Sequence, residues 1–86
     1  MINGKDNPVE WALMSYELEE VIEHLQHILD RIGSESEVDE IEFGFDMGHV
    51  YAHLNRIWNA RKQTGEYSDA QRDEFSKFPI DIELVG

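Results

Sequence analysis

Four histidines offer most of the chemistry in this chain, and they come in two helically spaced pairs. His49 and His53 stand four apart with Asp46 just before them. His24 and His27 stand three apart beside Glu20 and Glu23. On a helix such spacings put two imidazoles within reach of one metal ion, and carboxylate-bridged bundles use acids with histidines three residues on. Two observations oppose that chemistry. By helical angle all four histidines fall well off the centres of the apolar stripes described below, and those stripes hold no acid to face inward with them. The expectation is surface histidines that screen neighbouring acids, with no bound metal and no other cofactor. If a metal is held, Asp46, His49 and His53 are its candidates.

A search for a nucleophile finds less. There is no cysteine, and Ser15, Ser34, Ser36, Ser68 and Ser76 lack a glycine-framed elbow. Gly44 and Gly48 bracket Phe45-Asp46-Met47 without the Gly-Lys-Ser/Thr ending of a phosphate loop. Acid pairs are plentiful, but no pattern frames a cleft around them. The chain is expected not to be an enzyme.

The densest polar-aromatic run is residues 53–61, with Asn55, Arg56, Trp58, Asn59 and Arg61. Tryptophan, arginine and asparagine suit a recognition face, so these five form a candidate interaction patch. The structural alternative has Trp58 in the core, the asparagines bonded to loop or tail backbone, and Arg61 paired with an acid, since an arginine on an apolar face needs a partner.

The elements that must position these residues are helices. Asn7, Pro8 and Glu10 are start signals, and Arg31 and Gly33 are stop signals. Between them Trp11, Met14, Leu18, Val21, Leu25, Ile28 and Ile32 recur at alternating steps of three and four, with Ile22 and Leu29 widening the stripe. A first helix over 8–32 follows. Its first turns also carry Val9, Leu13 and Tyr16 on the opposite side, so that end is apolar nearly all round and needs a cover. A second helix is predicted over about 46–64, with Met47, Val50, Tyr51, Leu54, Ile57 and Trp58 as its stripe. It has no acid between Met47 and Gly65, which suits an antiparallel fit on the acidic first helix. Ser68 and Gln71 form a capping-box pair for a short third helix over about 69–77, ended by Pro79. The segment 38–45 is ambiguous. Ile41, Phe43 and Phe45 alternate like a strand, Val38, Ile41 and Phe45 are spaced like a helix, and the two glycines favour a loop with an extended stretch. Residues 1–6 read as frayed, and 79–86 as an extended tail.

The fold class is therefore all-α: one domain over 1–86, an antiparallel hairpin of a long and a medium helix, with a short third helix and a tail. Two hairpins could form a dimeric four-helix bundle. At 86 residues with nineteen acidic and seven basic side chains, the net charge is -12. A chain this small buries little over ~60% of its unfolded surface, so a partner would help it. The charge repels nucleic acid and anionic membranes. The opening residues Met1 to Asp6 lack a signal-peptide order, and the expected location is the cytoplasm. The leading functional expectation is a self-associating interaction module, a homodimer held around Val9, Leu13, Tyr16 and the outer edge of the first stripe. An acidic inhibitor or nucleic-acid mimic that binds a basic protein is one alternative, and a histidine/carboxylate metal-binding bundle is the other.

Overall fold

The computed structural model describes residues 1–86, which form three helices and no strand: α1 (Pro8–Ser34), α2 (Glu40–Asn59) and α3 (Asp69–Phe75). Helices α1 and α2 pack against each other. They run antiparallel, because Arg31 near the end of α1 bonds Glu42 and Asp46 near the start of α2, while Glu17 meets Arg56 near the opposite end. Helix α3 packs on α2.

Segment 38–45 is helical from Glu40 onward rather than an extended loop, and α2 does not wait for Asp46. The Asp39 side chain accepts the Ile41 N–H at 2.8 Å, and Glu40 and Glu42 lie in the first turn, where the helix dipole favours negative charge. The segment is helical although Val38 precedes the helix and Ile41 and Phe45 stay exposed, so the cap and first-turn acids rather than an apolar stripe favour it. The other end of α2 stops at Asn59, short of Gly65. There the Arg61 guanidinium binds the Trp58 carbonyl at 2.8 Å, which occupies an acceptor of the last turn. Gly65 then turns the chain with φ 78°, a conformation open to glycine at no steric penalty. The capping box of Ser68 and Gln71 forms as expected. Helix α3 ends at Phe75 rather than Lys77, with the Ser76 hydroxyl bonded to the Arg72 carbonyl.

The N-terminus is not frayed. Ile2 is buried and its N–H donates to the Arg61 carbonyl at 2.8 Å. The Asn3 side chain accepts the N–H groups of Lys5 and Asp6, a turn that aims the strap back over the hairpin end. Gly4 lies against the Trp11 ring, so an added Cβ would meet it at 3.1 Å. The strap covers part of the surface that the all-round apolar first turns expose.

The core is Val21, Ile28 and Val50, with Met47 and Ile57 packed against it. It is thin because α1 meets α2 with one edge of its stripe. By helical angle the contact face of α1 centres on Glu17, Val21, His24 and Ile28, roughly 70° from the stripe's own centre. The rest of the stripe is left outside. No helix is long and apolar enough to cross a membrane.

Candidate functional site

The off-centre packing gives the hairpin two unlike sides. On one side titratable groups gather between the helices. His24 of α1 meets His49 and His53 of α2, with ring centroids 4.0 and 5.3 Å away, and His49 and His53 are 4.9 Å apart. The expected surface position is thus corrected for His53, which is buried, and for His24, which is half-buried; His49 is exposed and His27 lies apart from the trio on an exposed face. Asp46 does not join them. It accepts from Arg31 at 2.8 Å, in a clasp with Glu42 near the interhelical turn. Of Asp46, His49 and His53, the structure brings the two histidines together and replaces the acid with His24.

The inward-facing acid judged missing from the sequence is Glu17. Its carboxylate bonds the Arg56 Nε at 3.0 Å and His53 Nδ1, and its side chain is only 15% exposed. Burial pushes the Glu17 carboxyl up, but the hydrogen bonds from Arg56 and His53 outweigh it and hold the group below its ordinary range. An ionised carboxylate only accepts, so His53 Nδ1 carries the proton and donates it. In the neutral ring the other nitrogen, Nε2, then carries the lone pair. It is buried without a hydrogen-bond partner, as is His24 Nε2. Burial, and then the neighbouring His24 and His53, lower the His49 pKa. A groove of about 320 Å³ opens beside the trio, walled by Glu17, Glu20, His49 and His53 together with Leu13 and Tyr16.

The polar-aromatic run of α2 is turned inward. Asn55 donates to the Ser76 carbonyl at 2.9 Å, and Asn59 to the carbonyls of Phe75 and Lys77 at 2.8 Å. Arg56 also donates to the Ser76 hydroxyl at 2.9 Å. These bonds dock α3. Trp58 does not fill the seam between α1 and α2. Its Nε1 donates to Asp81 at 2.9 Å, the Arg61 guanidinium lies 3.8 Å over its ring, and Arg61 closes the triangle onto Asp81 at 3.2 Å. The run therefore acts within the chain, as clamps for α3 and the tail.

The Trp58 and Arg61 hydrogen bonds hold the Asp81 carboxyl below its ordinary range. The sign follows from linkage: a lowered pKa stabilises the tail contact above the unfolded value, and the contact is lost as pH falls through the folded one. In a Trp11→Phe background, Trp58 fluorescence should report tail release only at a pH below about 3.8, before or together with global unfolding. Asp81→Asn should remove that step; an unchanged profile would refute the assignment.

The second side is apolar. Leu25, Leu18, Trp11, Leu29 and Ile22 fall within a sector of about 60° on α1. All five are exposed, Ile22 and Leu29 by 66% and 62%. No charged residue shares that sector. Phe43, Met47 and Leu54 continue the face on α2 by helical angle. Val9, Leu13 and Tyr16 are also exposed, but on the other flank of α1, where Leu13 and Tyr16 wall the groove. Compared with known proteins, the chain matches no family model, no curated protein and no solved structure.

Proposed function

We propose that the protein is a non-enzymatic, self-associating helical module in which two hairpins join through the charge-free face of α1 into a four-helix bundle. The observation that carries this reading is the face itself. In a chain of net charge -12, one full helix side lacks any charge and is left outside the monomer's core. With Ile32, Tyr51 and the half-exposed parts of Phe43 and Leu54, its exposed fractions amount to about four whole large side chains, on the order of 800 Å² at ~200 Å² each. Two such faces together match the ~1,600 Å² of a standard specific interface. A second copy fits because each face is neutral and its acids point away. The contact draws on the outer edge of the stripe, with Val9, Leu13 and Tyr16 outside it.

Light scattering after size exclusion tests the reading. At micromolar concentration the mass should be twice the 10.1 kDa of the chain. Added salt should tighten the dimer, because it screens repulsion between two acidic chains. The double variant Ile22→Glu/Leu29→Glu should give a monomer. A wild-type monomer mass that does not change with concentration would refute the proposal, whatever the variant does.

A further inference from the structure

We propose that His24, His49 and His53, joined by Glu20, form a binding site for one first-row divalent transition metal of the zinc class. The inference is independent of self-association, because the trio lies on the side of the hairpin away from the neutral face.

Three features of the site point to a ligand rather than to packing alone. First, one ring nitrogen from each histidine can be chosen so that all three lie within 4.8 Å of one another. Three imidazoles around a tetrahedral ion stand about 3.4 Å apart, given zinc–nitrogen bonds of ~2.1 Å, so small side-chain rotations close the set. Second, two of the three histidines carry a buried ring nitrogen with no hydrogen-bond partner. His53, with its side chain 9% exposed, donates its Nδ1–H in a hydrogen bond to Glu17, and its Nε2 is buried and unpartnered. A carboxylate behind a histidine is the usual means of fixing the tautomer and raising the basicity of a metal ligand. His24 Nε2 is buried and unpartnered as well. Two orphan ring nitrogens are an expense that an apolar pair at these positions would avoid. Third, Glu20 places a carboxylate oxygen 3.7 Å from His24 Nε2. That is too long for a hydrogen bond and suits two ligands that share an ion between them.

The donor set decides the class of ion. Imidazole nitrogen suits zinc, copper, nickel and iron, whereas calcium and magnesium ask for oxygen. With three nitrogens and one oxygen, the site should take Zn²⁺ and ignore Ca²⁺. The groove beside His49 and His53 supplies an entry path from solvent.

Titration calorimetry of untagged, chelator-treated protein with zinc chloride tests the site. One zinc per chain is expected, with no heat from calcium chloride. His24→Ala and His49→Ala should each weaken binding at least 100-fold. Glu17→Gln should weaken it roughly 10–100-fold, as expected for a group behind a ligand. His27→Ala is the internal control and should bind as wild type, since His27 lies outside the trio. Circular dichroism of the metal-free variants tests whether they fold. His49 is exposed, so His49→Ala remains informative should His24→Ala fail to fold. The proposal is overturned by an absence of saturable zinc binding. It is also overturned by binding that survives His49→Ala, or by binding lost equally in His27→Ala.

Discussion

Arg56→Ala should lose roughly 3 kcal/mol or more and lower the melting temperature by about 15 °C, the largest effect expected of any single side chain here. Arg56 is buried, and its guanidinium reaches across the helix seam to Glu17 while also holding Ser76. Truncation strands the Glu17 carboxylate in a half-dry site with only His53 beside it. Removing one partner of a buried ion pair typically costs ~3–5 kcal/mol, whereas replacing both with apolar groups of similar size is often near neutral. The double variant Glu17→Leu/Arg56→Met should therefore regain most of the loss. Small domains have only ~5–10 kcal/mol in total, so the single variant should be poorly folded at 37 °C while the double variant is not. Thermal melts by circular dichroism decide it. A single variant within a few degrees of wild type, or a double variant worse than the single, would refute the pairing as the main fastener of the two helices.

Trp58→Ala should lose about 2 kcal/mol, near 10 °C in melting temperature for a domain of this size. A tryptophan truncated in a sealed core loses ~3–5 kcal/mol. Trp58 is only partly buried, and its partners belong to the tail and to its own helix end. What it loses is the stack under Arg61, the bond to Asp81 and moderate apolar contact. Trp58→Phe keeps a ring for Arg61 but not the donor for Asp81, so it should fall between wild type and the alanine variant. Arg61→Ala should lose about 1 kcal/mol, since its partner Asp81 stays solvated. A Trp58→Ala variant as stable as wild type would show that the tail clasp contributes nothing.

These two residues also show how far a single sequence reaches. The hairpin, its order and the capping box of α3 were legible because caps and stripe periodicity are local signals. The internal role of Arg61 was legible because an arginine at an apolar angle needs a partner. The location of Trp58 was misjudged because a stripe tells which residues are apolar, not which neighbour they meet. The same limit hid the site. The stripe of α1 is wider than α2 can cover, and the helices meet at its polar edge. Glu17 and His24, off-centre by periodicity, thereby become contact residues. Nothing local marks that rotation. A surplus of apolar surface on α1 was the one available hint, and it pointed to self-association rather than to the histidines. The helical start at Glu40 was missed for a smaller reason: Gly44 and Gly48 weaken a helix on average, but the Asp39 cap and the acids of the first turn outweigh them here.

The bond from Ile2 to the Arg61 carbonyl ties the two ends of the hairpin segment together, and loop-closure entropy then orders the events of folding. Contacts near the interhelical turn, Arg31 with Glu42 and Asp46, link residues close in the chain and form with little loss of freedom. From there the helices should zip toward Glu17 and Arg56, a pairing across a far longer span. The N-terminal strap should come last, since its acceptor, the Arg61 carbonyl, lies just past the end of α2 and is placed by the paired helices. The strap is thus a latch on a finished hairpin rather than part of its nucleus, and its loss would speed unfolding while leaving the folding rate unchanged.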